Sequence, residues 1–220
     1  MGGFFKSSIG RKVAMALSAF FLMFFLLMHV SINLLSIFSE ETFNAASHFM
    51  GTNWLIQFVM QPVLIFGVVF HFIMGFVLEL KNRSAVGISY NKNNGGANST
   101  WMSRNMIYSG LVILAFFVLH FIDFWIPELK YKYVEVLPED PNRYFEELTH
   151  KFENPLRVVA YVIAFVLLAL HLLHGFTAAF QSMGASTIRK KLLQKIGKAY
   201  AIIIPLGFIF IALYHYFNNH

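Results

Sequence analysis

The stretch "ALHLLHGFTAAF", residues 169–180, sets His171 and His174 into a run that is otherwise hydrocarbon. The run extends over about 155–182, and a helix needs roughly 20 apolar residues to cross a bilayer. An imidazole at that depth is costly unless it faces a bundle interior and finds a partner. What these two histidines mean therefore depends on what the other apolar runs carry.

Four more such runs cover about 12–38, 54–80, 104–126 and 196–217. Of the 220 residues, 57% are hydrophobic and 13% charged, and the mean hydropathy is +0.60. A soluble domain carries about twice that charged fraction, so the chain reads as a polytopic membrane protein. The predicted fold class is all-α, a single transmembrane domain over 1–220 with five spanning helices, the first four forming a bundle. A barrel would instead show alternating segments of about ten residues. Glycine and proline within the runs (Pro62, Gly67, Gly75, Gly175, Pro205, Gly207) are tolerable in membrane helices. The absence of cysteine excludes disulfides, thiolate-bound iron–sulfur clusters and covalently attached c-type haem from this chain. No signal-like cleavage site precedes the first run, which is long enough to remain as a span.

The formal charge of +6 calls for no nucleic acid, because in a membrane protein the position of Lys and Arg matters more than their sum. The N-terminal tail (Lys6, Arg11, Lys12), the segment between runs two and three (Lys81, Arg83, Lys92, Arg104) and that between runs four and five (Arg189, Lys190, Lys191, Lys195, Lys198) hold 12 of the 17 basic residues. These segments lie on one side. The other side has Glu40 and Glu41 in its first loop and a net acidic long loop, 126–155, in which a short interfacial helix is expected near 142–150. The positive-inside rule then places the N-terminus in the cytoplasm and the C-terminus outside. The Gly- and Asn-rich loop 90–101 shows no legible function.

His48, His150, His215 and His220 fall in loops or at span ends, where they read as ordinary interfacial residues. Five others lie within spans. His29 is 17 residues past Lys12 and His120 is 16 past Arg104, so both sit roughly 24–25 Å up from the basic side. His71 is 10 residues before Lys81 and His171 is 10 before Gln181, roughly 15 Å from that side. Depth alone therefore pairs His29 with His120 and His71 with His171. Two imidazoles at one level on different helices are the ligand set of a six-coordinate b haem in a bundle core. Zinc or copper would want three or four ligands converging on one point. Gly67 and Gly75 flank His71 at four residues, and Gly175 follows His171 by four. Either a flat macrocycle or a close neighbouring helix would use that missing bulk.

The chain also echoes itself. "HFIMGF" (71–76) matches "HLLHGF" (171–176) in its His, Gly and Phe, and Ser18 and Ser109 each precede their histidine by eleven residues. Asn33 and Asp123 follow His29 and His120 by one turn. Helices one and two, and three and four, thus look like two similar hairpins.

With these features the sequence resembles the di-haem cytochrome b anchor of succinate:quinone oxidoreductases, the five-helix single-subunit type of bacterial succinate dehydrogenases and fumarate reductases. The resemblance covers the whole chain, and its most specific element is His171 followed by Gly175 and Gly184. It implies two haem b groups, the distal one on His29 and His120 and the proximal one on His71 and His171. It further implies a flavoprotein subunit with FAD and an iron–sulfur subunit docked on the basic face. Electrons would then pass between succinate and a quinone, usually menaquinone, in the bacterial cytoplasmic membrane, with no succinate chemistry in this chain. Some fumarate-reducing relatives carry a glutamate two residues before the fourth ligand, where this chain has Ala169. That difference tips the expectation toward succinate oxidation.

Quinone chemistry needs a proton donor or acceptor near the outer surface. The candidates are Asp123, Glu40 and Glu41, with Asn33 as a hydrogen-bonding residue. Arg11, Lys12, Trp101 and Arg104 lie at a depth suited to haem propionates. Ser18, Ser109 and His174 are candidates for the haem surroundings, although a mid-helix serine often bonds its own backbone. The complex could associate further into an oligomer. Two rival readings are a cytochrome b subunit of a hydrogenase or formate dehydrogenase, and a small transporter with histidine proton relays. The second would more often show broken helices and midplane acids.

Overall fold

The computed structural model describes residues 7–84, 105–184 and 187–218, and every regular element among them is helical. α1 (Ser8–Phe38) starts at Ser7, whose side chain accepts a hydrogen bond from the Gly10 amide. α2 (Glu40–Thr52) starts one residue after α1, capped by Ser39. α3 opens with a π-helical turn at Ile56–Met60 and continues over Gln61–Ser84. α4 (Met106–Val134) runs through π-helical turns at Phe121–Trp125 and Lys130–Val134. α5 is Arg143–Lys151, α6 is Pro155–Ser182 and α7 is Thr187–Asn218. Two π turns lie beside prolines, Pro62 and Pro127, whose missing N–H and ring bulk disturb the regular ladder.

Among the described residues five helices are long and apolar enough to cross a membrane: Ser8–Phe38, Ile56–Asn82, Met106–Val134, Pro155–Ser182 and Lys191–Asn218. The expected spans hold, with α1, α3, α4 and α7 extending past the predicted ends. α4 runs eight residues beyond 126 because its π turns absorb Pro127 without ending the helix. The short helix expected near 142–150 is α5. The helix α2 was not expected, since its stretch has no span-length apolar run.

Four spans form a ring in the order α1, α3, α4, α6, and α7 packs outside it against α1 and α6. Bulky side chains on the outer faces are bare, among them Phe66 at 68%, Ile203 at 65% and Phe24 at 63% exposed. In water such a surface would be untenable; in a multi-pass membrane protein it faces lipid. The buried core follows α1, α6 and α7 in two clusters. One gathers Val30, Tyr161, Phe165, Phe208 and Ile211, and the other Ala16, Met23, Leu172, Phe176 and Ala201. α6 and α7 close tightly because Gly197 lies flat on the Phe176 ring, where an added Cβ would sit 2.5 Å from it.

The ends of the bundle differ. At the end away from the basic segments, α2 and α5 lie against each other. Buried Asn44 joins them: its amide donates to the Asn142 carbonyl (3.0 Å) and accepts from the Phe145 amide (2.7 Å), capping α5 from outside. Lys132 ties α4 to α2 by donating to the Gly51 carbonyl while paired with Glu128.

Three substitutions check this packing. Gly197→Ala should cost about 1–3 kcal/mol through overpacking, whereas Gly75→Ala, whose Cβ would stand 3.7 Å from Met15, should cost little. Asn44→Ala should cost about 1–2 kcal/mol by removing the cap of α5. Thermal unfolding in detergent micelles measures all three, and equal effects of Gly197→Ala and Gly75→Ala would contradict the packing described.

Candidate functional site

The ring order puts α1 opposite α4 and α3 opposite α6, and the intramembrane histidines meet across those diagonals. The His29 and His120 rings have centroids 5.8 Å apart at an interplanar angle of 89°. The His71 and His171 centroids are 6.4 Å apart at 67°. Metal–nitrogen bonds of about 2.0 Å and a ring radius of about 1.2 Å put two opposed imidazoles about 6.4 Å apart, centroid to centroid. The His71–His171 separation matches that figure, and the His29–His120 separation is about 0.6 Å shorter.

The two levels have different surroundings. The His29–His120 level is lined by rings: Phe25 stacks on His29 (5.4 Å), Phe116 on His120 (5.8 Å), and Phe208 and Phe124 close the sides at 5.6 and 5.3 Å. The Nδ1 atom of His120 is buried without a hydrogen-bond partner among the described residues. Asn33 donates from its side chain to the His29 carbonyl (2.8 Å), so it bonds the backbone of its own helix.

Serines support the His71–His171 level. Ser18 Oγ is 3.0 Å from His71 Nδ1, and Ser109 Oγ is 3.2 Å from His171 Nδ1. Each serine also donates to the carbonyl three residues back, Met15 at 2.8 Å and Met106 at 2.9 Å. The helix glycines of this level face the same methionines: a Cβ on Gly75 would stand 3.7 Å from Met15, and one on Gly175 3.5 Å from Met106. The spaces beside these glycines are therefore filled by flexible, repackable thioether chains. Gly67 differs, since its Cβ would fall 2.8 Å from Phe21, which is close helix packing. Gly110, absent from the sequence reading, lies 3.7 Å from His171 Cε1 by the same measure. Its lone position in an apolar run carried no signal. His174 is half-buried one turn nearer the basic end.

Asp123, on the π turn after His120, is only 2% exposed. Tyr161 donates to its Oδ2 (2.9 Å), and Arg157 Nε lies 3.0 Å from Oδ1 but off the hydrogen-bond axis. Glu40 and Glu41 are exposed in the first turn of α2, where a helix N-terminus favours negative charge. Arg11 is half-buried and Lys12 exposed at the basic end. Trp101 and Arg104 lie outside the described residues, as do loop 90–101 and His220. His215 departs from the interfacial reading: it is 2% exposed, with its Nε2 2.8 Å from Ser36 Oγ.

The α2–α5 end encloses a cleft of about 270 Å³ lined by His48, Gln57, Phe58, Tyr131, Lys132, Arg143 and Tyr144, with Glu139 and Asp140 among its acidic lining residues. Arg143 stacks between Tyr131 (4.1 Å) and Tyr144 (4.4 Å), bonds Glu128, and bonds Glu147 at 2.6 Å. Burial opposes the Arg143 charge, but the Glu128 and Glu147 carboxylates outweigh it and raise the pKa. Burial, then Glu128, pushes the Tyr144 phenol up to about 12, so it stays a hydrogen-bond donor at neutral pH. His48 Nδ1 is buried here without a hydrogen-bond partner among the described residues.

No family model, curated protein or solved structure matches the chain.

Asp123→Asn leaves Arg157 facing a neutral amide and should destabilise the protein by about 2 kcal/mol. Tyr161→Phe, which removes one hydrogen bond, should cost about 1 kcal/mol. Thermal melts of the two variants in micelles should preserve that order.

Proposed function

We propose that this chain is the membrane-anchor cytochrome b subunit of a bacterial succinate:quinone oxidoreductase, holding one b haem between His29 and His120 and another between His71 and His171. One observation carries the reading. Four intramembrane imidazoles pair across both diagonals of one bundle, at two heights, with separations of 5.8 and 6.4 Å. A two-ligand site suits six-coordinate haem better than zinc or copper, which want more donors. The repackable Met15 and Met106 beside Gly75 and Gly175 are compatible with a group seated between the rings.

Bound haem supplies reversible one-electron transfer across the thickness of the bilayer. The residues of this chain do the rest. The imidazoles would hold each group, and the phenyl rings of the outer level would exclude water around the one between His29 and His120. At the basic end, exposed Lys12, Lys81, Lys191, Lys195 and Lys198 offer a cationic surface to an iron–sulfur subunit bound to an FAD-containing flavoprotein. That end is the cytoplasmic one in this reading.

The cleft between α2 and α5 is assigned to the quinone, most naturally menaquinone. Its apolar rim (Phe58) meets the lipid, and His48 and the phenols offer hydrogen bonds to a ring carbonyl. Glu139 and Asp140, which also line the cleft, connect it to water for proton exchange. Asp123, tied to Arg157 and Tyr161, acts as a buried anchor beside His120, and Glu40 and Glu41 act as helix-end charges. The direction favoured is succinate oxidation, since Ala169 occupies the position where a proton-carrying glutamate would stand.

The purified protein is expected to show a reduced b-type spectrum with two haems per chain. His71→Ala and His171→Ala should remove one haem, and His29→Ala and His120→Ala the other. Absence of any haem would overturn the assignment, and equal loss of both haems in every variant would overturn the pairing. Reporter fusions should place the C-terminus outside the cytoplasm.

A further inference from the structure

Ser18 and Ser109 are mid-membrane serines on α1 and α4, the helices that carry the outer histidine pair, yet each bonds a histidine of the inner pair. Eleven residues is roughly 16 Å of helix, so each serine lies well to the basic side of its own helix's histidine and within reach of the inner pair. The hydroxyl has a single proton. In both serines it is committed to the carbonyl three residues back, at 2.8 Å on Met15 and 2.9 Å on Met106. What each oxygen turns toward the imidazole is therefore a lone pair, so the ring nitrogen at 3.0 or 3.2 Å must be the donor. That nitrogen is Nδ1 in both rings. Its N–H leaves Nε2 as the bare nitrogen, the one able to bind a metal.

We propose that Ser18 and Ser109 are positioning residues that lock His71 and His171 in the Nδ1–H tautomer, aim Nε2 of each into the space between α3 and α6, and raise the donor strength of the two rings. The claim rests on the haem assignment above for its electronic consequence, but not for the tautomer. The outer level is built otherwise, since the Nδ1 of His120 has no acceptor among the described residues. An N–H acceptor makes an imidazole a stronger donor and favours the more positive, oxidised metal.

Redox titration of the haem-loaded chain tests the electronic part. Ser18→Ala or Ser109→Ala should raise the midpoint potential of the inner haem by up to tenfold in its reduction equilibrium, about 59 mV for one electron. The outer haem should not move, and Ser18→Thr should restore the wild-type potential. An unchanged inner potential in both alanine variants would overturn the electronic claim while leaving the two-haem assignment intact. Loss of the inner haem in Ser18→Ala with retention in Ser18→Thr would support the proposal; loss in both would count against it, as a packing effect. Nitrogen-15 NMR of the chain prepared without haem tests the tautomer itself. His71 and His171 should show protonated Nδ1 and bare Nε2, and Ser18→Ala should release His71 toward the other form. Finding the other form in the unsubstituted chain would overturn the proposal whether or not haem binds.

Discussion

A neutral imidazole inside a bilayer has two nitrogens with opposite needs: one N–H requires an acceptor, and one lone pair requires a donor or a metal. Water meets both needs at a surface. In the hydrocarbon region the fold must meet them, and the arrangement of this bundle follows from that demand. Four histidines point inward from four helices, so those helices must form a closed ring, and antiparallel neighbours set the histidines at two heights. α7, whose only histidine within the described residues is His215, is free to pack outside. His215 meets one of these needs within the fold: its Nε2 lies 2.8 Å from the Oγ of Ser36, whose proton goes to the Asn33 carbonyl at 2.6 Å.

The hairpin echo has a physical basis in the same demand. The constellation Met15, Ser18, His71, Gly75 on α1 and α3 recurs as Met106, Ser109, His171, Gly175 on α4 and α6. In each copy the methionine supplies the carbonyl that takes the serine proton and the side chain that fills the space beside the glycine. A flexible thioether can vacate such a space at low cost, whereas a branched chain could not. Gly67, held against the Phe21 ring, has no such latitude and belongs to helix packing.

Much of the fold was legible because span length and hydropathy are bulk properties that need no tertiary information. The depth pairing of histidines was legible for a similar reason: an α-helix is a ruler, and the basic flanks mark its zero. What depth could not reveal was azimuth. Ser18 and Ser109 were visible as a repeat, but whether they faced a ring, a propionate or their own backbone depended on helix rotation. The coordinates show two of those partners at once. α2 escaped notice because its polarity makes it an ordinary loop in composition; its helicity comes from the Ser39 cap and its contact with α5. Gly110 and the Asn44 cap were invisible because each acts on a residue more than 50 positions away.

Asp123 shows how sequence cost and structural role can part. An acid near the end of a span must be used or paired, and from sequence either role remained open. Its position on a π turn settles the geometry: the turn re-aims the side chain toward α6, where Arg157 and Tyr161 sit one turn apart on the same face. Its carboxylate is held between Arg157 and Tyr161, away from water. The α2–α5 cleft, by contrast, opens to water, and its acids at 139 and 140 are exposed. In the proposed reading, proton exchange at that end falls to the cleft, and Asp123 ties α4 to α6 beside His120.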